Sequence, residues 1–197
     1  MNLNKKAAIV IYPQFSNYEI SIAAAIFKIF DKQITVFSKD KNPVLSEEGF
    51  QFLPNKTLGE FNIEDYDCLI LPGMWDFTQT ISDENYISFL RQFKGNKNII
   101  IASISSSPIL LYKAGVLDEI KFCASLFEED IDKYNIDRKN IVRVPIYIDD
   151  NIITAAGRAY REFGIAIGQR LGLDVSENSF SGIKYPFDPN DYIFYRK

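Results

Sequence analysis

The feature that most constrains the fold is the alternation of short apolar runs with segments of helical periodicity. The apolar runs are residues 7–11 (AAIVI), 67–71 (DCLIL) and 98–104 (NIIIASI). A strand that is buried on both faces reads as a continuous apolar run, whereas a strand with one solvated face alternates apolar and polar residues. Buried strands that alternate with helices predict an α/β fold, with a mostly parallel sheet covered by helices on both faces.

Helical spacing, turn residues and helix caps predict the remaining elements. These are a helix over residues 16–30 with Ser16 or Asn17 as its N-cap, a strand over 33–37, a small hairpin of 44–45 with 50–53, a helix from a cap at 82–84 to about 93, a helix over 109–114 with Gly115 as its C-cap, a hairpin of 142–148 with 151–155, and a helix over 158–171 that ends at Gly172.

The chain is predicted to form one domain, because it shows no internal repeat and no long linker. The core of this domain covers about residues 7–173, and a tail rich in aromatic residues covers 174–197. The aromatic residues of the tail are Phe180, Tyr185, Phe187, Tyr192, Phe194 and Tyr195. We expect them to pack over the body of the domain rather than to form a partner site.

Charge and histidine content exclude several functions. The 22 Lys and Arg residues against 26 Asp and Glu residues give a net charge of −4 without a clustered basic stretch, so nucleic acid is not an expected partner. The chain contains no histidine, which is the usual general base at neutral pH and the commonest metal ligand. Ser-His-Asp and Cys-His mechanisms are therefore excluded for this chain acting alone, and we expect no metal and no other cofactor.

The two cysteines and the start of the chain bear on the compartment. Cys68 and Cys123 belong to no Cys-x-x-Cys pair, and each is expected to be a buried core residue with a free thiol. Cys123 is placed on a predicted strand after the helix at 109–114. The apolar run at 7–12 is too short for a signal peptide or a membrane span, so we expect a cytoplasmic protein with no membrane partner.

The carboxyl ends of the predicted strands locate the candidate site, because ligands of open α/β sheets bind beyond these ends. Residues 12–19, 72–75 and 105–108 follow three of the strands. Ser105 falls at a tight strand-to-helix turn, which exposes a side chain above the sheet and points the following N–H groups at a substrate. A serine run before a proline is more commonly a helix cap, so this signal alone has little specificity.

Four motifs together resemble a known family. They are AIVIYPQFSNYE, DCLILPGMW, IIIASISSSPILLYKAGVL and NIITAAGRAYREFGIAIGQRLG. In this order and spacing they resemble the ThiJ/PfpI superfamily from about residue 7 to residue 173. The resemblance implies a flavodoxin-like three-layer αβα sandwich of the class I glutamine amidotransferase type. It also implies a small-molecule substrate or ligand and a homodimer.

The resemblance implies roles for five residues. Ser105 falls on the position of the family's nucleophilic cysteine, and Glu19 falls on the acidic residue that leans over this nucleophile. Gly73 and Met74 fall on a Gly-Gly pair that supplies a backbone N–H to the oxyanion hole. Because backbone donors survive a change of side chain, Met74 and Ser106 are expected to stabilise an oxyanion.

Three further residues are candidates to line the pocket, namely Tyr18, Trp75 and Ser125. Ser125 lies near the position at which the family commonly has a histidine. Arg158 and Arg161 are expected on a solvated helix face, although they could also reach an anionic ligand above the sheet.

Two functions from different classes stay open. A serine hydroxyl needs an adjacent base, and Glu19 is the only candidate, although an ordinary glutamate with a pKa of about 4.3 is a poor base. The absence of both a cysteine at residue 105 and a histidine favours a pseudoenzyme that binds a small molecule or acts in regulation or stress. The alternative is a hydrolase or hydratase of the amidase, deglycase or isonitrile hydratase type, which uses Ser105 and Glu19 with a backbone oxyanion hole. That Ser105 is an engineered replacement of a natural cysteine also stays open.

Overall fold

The computed structural model describes residues 5–183, 185, 186, 188 and 193. The strands are β1 (Lys6–Val10), β2 (Ile34–Ser38), β3 (Val44–Leu45), β4 (Gln51–Phe52), β5 (Lys56–Thr57), β6 (Tyr66–Leu71), β7 (Ile100–Ile104), β8 (Ile146–Asp149) and β9 (Ile152–Ala155). The helices are α1 (Tyr18–Ile29), α2 (Thr78–Ser82), α3 (Glu84–Arg91), α4 (Pro108–Lys113), α5 (Glu128–Lys133) and α6 (Tyr160–Arg170). Short 3-10 turns lie at Leu58–Glu60, Ile63–Asp65, Arg138–Asn140 and Gly157–Ala159.

The main sheet of the described part has the strand order β5-β2-β1-β6-β7-β9-β8. All neighbouring strands in it are parallel except β8 and β9, which form an antiparallel hairpin. Strands β3 and β4 form a separate antiparallel hairpin. The mostly parallel sheet and both predicted hairpins are therefore confirmed.

Helices cover the two faces of the sheet. The connection through α1 runs from β1 outward to β2, whereas the connection through α3 runs in the opposite direction, from β6 to β7. Because such crossovers are right-handed, α1 and α3 lie on opposite faces. Helix α6 packs against α1, and α2 and α4 pack against α3. The fold is thus the predicted α/β sandwich of three layers.

The contact between α1 and α6 depends on a glycine. A Cβ atom at Gly164 would lie 2.7 Å from the backbone N of Ala23, so a larger residue would force the helices apart. Phe27 on α1 and Phe163 on α6 are both fully buried in the core that the two helices share with the sheet. This close packing fixes the start of α1 relative to the residues before α6.

The strand order reverses between β1 and β6, so the crevice beyond their carboxyl ends is the expected binding place in this topology. Residues 11–17 follow β1, residues 72–77 follow β6, and residues 105–107 follow β7. The three segments that the sequence singles out therefore meet at one edge of the sheet.

Several predictions of local structure need correction. Strand β5 and helices α2 and α5 were not predicted, because they are too short to show a period. Cys123 does not lie on a strand, since its segment makes only a single bridge between Phe122 and Ile141. The tail prediction is wrong for Phe180 and Tyr185, which are 40% and 79% exposed. Four further aromatic residues of the tail lie outside the described residues, namely Phe187, Tyr192, Phe194 and Tyr195.

Within the described residues, no helix is long and apolar enough to cross a membrane.

Candidate functional site

Ser105 occupies a strained turn between β7 and α4. Its φ is +63°, in the left-handed region that costs a residue with a side chain about 1–2 kcal/mol. Two backbone hydrogen bonds hold it there, because its N–H donates to the Ala155 carbonyl at 2.8 Å and its carbonyl accepts from the Ser125 N–H at 2.7 Å. Strain of this kind persists only where the surroundings fix the conformation, and it is common at active sites.

A buried hydroxyl ties the turn to the sheet from below. The Ser107 side chain is fully buried, and its Oγ accepts from the Ile104 N–H at 3.0 Å. The same Oγ lies 2.9 Å from the Leu71 carbonyl and 2.7 Å from the Ser103 Oγ. Ser107 thus links the turn after β7 to the end of β6, which fixes the relative positions of the loops that follow these two strands.

Glu19 reaches Ser105 from the first turn of α1. Only 1% of Glu19 is exposed, and its Oε2 accepts the Gly73 N–H at 2.7 Å. The Tyr18 hydroxyl donates to Oε1 at 3.3 Å, and the carboxyl group shares a further hydrogen bond with the Ser105 side chain. The structure therefore brings together the two residues that the sequence predicts as catalytic.

Glycines enclose this pair on two sides. A Cβ atom at Gly73 would lie 2.5 Å from the Ser105 Cβ, and one at Gly157 would lie 2.7 Å from the Glu19 Oε1 and 2.9 Å from the Ser105 Oγ. No side chain fits at either position without displacing the pair. Gly157 was not singled out from the sequence, although it lies within the AAGR motif at the start of the last helix.

The environment of Glu19 changes its acidity. Burial, with a smaller contribution from the charge of Glu47, raises the pKa of Glu19 to about 7, although hydrogen bonds from Gly73, Ser105 and Tyr18 oppose the rise. Burial and the charge of Glu19 raise the pKa of Tyr18 to about 12, so this phenol stays a hydrogen-bond donor at neutral pH. Near neutral pH the Glu19 carboxyl group can therefore both accept and give up a proton.

The predicted oxyanion donors are only partly free. The Met74 N–H donates to the Ser106 Oγ at 3.0 Å, and this hydroxyl donates in turn to the Met74 carbonyl at 2.9 Å. The Gly73 N–H is engaged by Glu19. Within the described residues, the Ser106 N–H has no hydrogen-bond acceptor. The expected open pair of donors at Met74 and Ser106 is thus reduced to one, because the Ser106 hydroxyl occupies the Met74 N–H.

A cavity of about 410 Å³ opens above Ser105. Its lining residues are Ser16, Tyr18, Glu19, Glu47, Met74, Trp75, Phe77, Ser105, Ser106, Ser125, Phe127 and Asp130. All three side chains that the sequence suggests as lining residues are among them. The Ser125 Oγ accepts the Gly157 N–H at 3.0 Å, so this residue also holds the loop before α6.

Comparison with known proteins gives the family. The DJ-1/PfpI family matches residues 5–169. The chain belongs to the DJ-1/PfpI family. It is 29% identical over 118 residues to general stress protein 18 of Bacillus subtilis. The aligned region covers 59% of this chain and 68% of that protein. It is 24% identical over 175 residues to protein dj-1beta of Drosophila melanogaster. The aligned region covers 86% of this chain and 90% of that protein.

Solved structures of the family share the fold. A DJ-1 superfamily protein from Agrobacterium tumefaciens superposes with a TM-score of 0.76 at 22% identity, over 86% of this chain and 90% of that one. The DJ-1beta structure from Drosophila melanogaster gives a TM-score of 0.71 at 23% identity, over 85% and 90% of the two chains. At these identities the likeness shows the architecture alone.

Three lining residues of this family member have no signal in the sequence. Glu47 comes from the loop of the β3–β4 hairpin, and Phe127 and Asp130 come from the end of a loop and the start of α5. These segments carry no motif and no strong period. Only the packing of the hairpin and of α5 at the sheet edge brings them to Ser105.

The remaining candidates lie outside the cavity. Arg158 lines a separate groove beside Val144, and Arg161 binds the Glu177 carbonyl and the Glu162 carboxylate. The two cysteines are buried, as predicted, and burial raises the pKa of each thiol. In the part of the chain that the structure describes, no cluster of acidic or cysteine side chains could hold a metal ion.

Proposed function

We propose that this chain is a hydrolase in which Ser105 stands at the nucleophile position of the DJ-1/PfpI family and Glu19 is its base. The observation that carries the proposal is the approach of the Ser105 side chain to a buried carboxyl group whose pKa is about 7, since a Cβ atom at Gly157 would lie 2.7 Å from the Glu19 Oε1 and 2.9 Å from the Ser105 Oγ. A general base is most effective when its pKa lies near the working pH. Burial therefore gives Glu19 a pKa near neutral pH, which is the property that a histidine base has in other serine enzymes.

The reaction is an acyl transfer in two steps. As the Ser105 Oγ attacks the carbonyl carbon of the substrate, its proton passes to the Glu19 carboxylate. Glu19 then gives this proton to the leaving group, and an ester forms on Ser105. In the second step water attacks the ester, Glu19 takes a proton from the water, and this proton returns to the Ser105 Oγ as the acid product leaves.

Backbone donors stabilise the negative oxygen of the tetrahedral intermediates. The Ser106 N–H is free to donate within the described residues, and the Met74 N–H becomes a second donor when the Ser106 Oγ turns away. One such donor contributes about a hundredfold or more to the rate in serine hydrolases. Rotation of one buried hydroxyl is thus the change that completes the site.

A second candidate function is binding without turnover. It is favoured by the contact between Ser106 and Met74, which fills the donor that an oxyanion requires. In this alternative the cavity is kept for a small molecule, and Ser105 and Glu19 only anchor it. A homodimer stays a prediction under both functions, and light scattering on the purified chain tests it.

The two functions are separated by one set of assays. The chain is assayed against p-nitrophenyl acetate, methylglyoxal, a small amide and an isonitrile, beside Ser105→Ala, Glu19→Gln and Ser105→Cys. Ser88→Ala is the matched control, because Ser88 is exposed on α3 and is not among the residues that line the cavity. We expect turnover by the natural chain that Ser105→Ala and Glu19→Gln both abolish, with the acyl group found on Ser105 by mass spectrometry. Turnover only by Ser105→Cys would contradict the hydrolase proposal and leave binding.

A further inference from the structure

We propose that the cavity over Ser105 takes a small organic cation, that is, a ligand with an ammonium group on an apolar body. The inference deepens the proposed function, since it concerns the substrate class of the same cavity. It rests on the charge of the lining, on the exposed aromatic side chains and on the size of the space.

All charged side chains that line the cavity are acidic. They are Glu19, Glu47 and Asp130, and within the described residues no lysine or arginine lines it. A neighbouring groove shares Glu47 and Trp75 with the cavity and adds Glu48, again without a cation. The nearest basic residue along α5, Lys133, lies over the Tyr134 ring at 5.0 Å and is not part of the lining.

Three of these carboxylates have hydrogen-bond partners: Glu19 and Glu48 accept backbone N–H groups, and Glu47 is bonded by the Ser16 side chain. The Glu48 Oε1 accepts the Tyr18 N–H at 3.0 Å, so its charge sits at the first turn of α1. Glu47 and Asp130 form no ion pair in the described part of the chain. An anionic ligand would therefore meet negative charge on two sides, whereas a cation would meet a counter-charge there.

Exposed aromatic rings of the cavity lining would also attract a cation. Trp75 is 82% exposed and Phe127 is 78% exposed, and both line the cavity without a ring partner among the described aromatic pairs. Tyr18 stands beside them with its ring edge-on to Tyr160. The face of an aromatic ring attracts an ammonium group, and tryptophan does so most strongly. Exposed rings next to carboxylates thus favour a cationic ligand over a neutral one.

The space suits a small molecule. A volume of about 410 Å³ lies within the usual range of ligand pockets, toward its lower end. The ammonium group would lie between Trp75, Phe127 and the carboxylates, and the rest of the ligand would extend toward Ser105. A substrate of this class would be an ester or amide with an ammonium group near its carbonyl carbon.

The test compares two molecules of the same shape that differ in charge. Choline is the cation, and 3,3-dimethylbutan-1-ol is its neutral counterpart. Trp75 is the only tryptophan of the chain, so its fluorescence reports directly on the cavity. We expect choline to bind about tenfold more tightly than the alcohol, the size of a partly desolvated cation–π contact combined with a nearby carboxylate.

Variants locate the site and keep the proposal falsifiable. Glu47→Gln and Asp130→Asn are each expected to weaken choline binding about threefold to tenfold, whereas Glu64→Gln is not, although it removes the same charge from an exposed site. By calorimetry, Trp75→Leu should weaken choline and leave the alcohol unchanged. Equal affinity for the two molecules, or tighter binding of 3,3-dimethylbutanoate, would overturn the proposal.

The same experiment separates this inference from the proposed function. Ser105→Ala removes the nucleophile but none of the groups that face the cation, so this variant should keep the preference for choline over 3,3-dimethylbutan-1-ol. Choline binding without any esterase activity would refute the hydrolase alone. Esterase activity with no preference for 2-(trimethylammonio)ethyl acetate over 3,3-dimethylbutyl acetate would refute the cation site alone.

Discussion

The Gly73 N–H donates to the Glu19 Oε2 at 2.7 Å, and the same carboxyl group bonds the Ser105 side chain. The Gly73 N–H is therefore engaged by the proposed base and is not free to bind an oxyanion. This bond also holds α1 against the loop after β6, so that Glu19 and Ser105 keep their relative positions in the absence of a ligand. Preorganisation of this kind is the main way in which a site lowers the barrier without moving.

The pH dependence of activity follows from Glu19. Only the ionised carboxylate accepts the Ser105 proton, and the pKa of Glu19 is about 7. We expect kcat/KM for p-nitrophenyl acetate to rise between pH 5 and pH 8 with an apparent pKa near 7. A profile with its midpoint near 4.5, or one that Glu19→Gln leaves intact, would rule out this base.

The pH dependence of stability has the opposite sign. The folded-state pKa of Glu19 is raised from 4.5 to about 7, so the folded protein binds more protons than the unfolded chain in that interval. The contribution of Glu19 is therefore fully present below pH 4.5 and is lost as the pH rises through 7, by about 3 kcal/mol. Glu19→Gln stays neutral, so its free energy of unfolding should fall less between pH 5 and pH 8 than that of the natural chain. Urea unfolding at the two pH values measures this, with Glu64→Gln as the exposed control.

Removal of the Ser106 hydroxyl should open the oxyanion site. In Ser106→Ala the Met74 N–H loses its internal acceptor and can donate to a substrate oxygen. We expect kcat/KM to rise, by about tenfold or more if chemistry limits the rate, while stability falls by about 1 kcal/mol. Ser107→Ala is the comparison, since it removes a buried hydroxyl under the same turn but frees only the Ile104 N–H, which does not line the cavity. A loss of activity in Ser106→Ala would show that the hydroxyl itself binds substrate.

A methyl group at Gly157 should damage the site with little effect on the rest of the fold. The new Cβ would lie 2.7 Å from the Glu19 Oε1 and 2.9 Å from the Ser105 Oγ, so the pair must separate. We expect Gly157→Ala to lower kcat/KM by about a hundredfold, because a displacement of about 1 Å is enough for that loss. Gly59→Ala is the control, since its Cβ would meet nothing nearer than 3.9 Å. Unchanged activity in Gly157→Ala would mean that the pair does not act together.

The strain at Ser105 can be measured directly. At φ +63° glycine avoids the cost of a left-handed conformation, so Ser105→Gly should be more stable than Ser105→Ala by about 1 kcal/mol. The order should reverse at Ser88, which lies within helix α3, where alanine is favoured over glycine by about 1 kcal/mol. Thermal or urea unfolding of the four variants gives the comparison. The same order at both positions would contradict a strained turn.

The sequence by itself determined the layered α/β fold and the turn at Ser105. Continuous apolar runs such as 98–104 predict strands that are buried on both faces. This pattern is local, so it can be recognised without knowledge of the tertiary contacts. The resemblance to the ThiJ/PfpI superfamily also implied that Glu19 and Ser105 lie together, although 86 positions of chain separate them. The sequence did not predict short elements such as β5, α2 and α5, because a few residues are too short a segment to show a periodic pattern.

Only the tertiary structure decided the chemistry of the site. The pKa of Glu19 depends on burial by segments that are distant along the chain, and the state of the Met74 N–H depends on where the Ser106 hydroxyl points. The approach of Phe127 and Asp130 to the cavity depends on how a loop without a motif packs at the sheet edge. Desolvation and hydrogen-bond partners are properties of the packed molecule, since each is the sum of contacts between residues whose order in the chain gives no sign of their proximity.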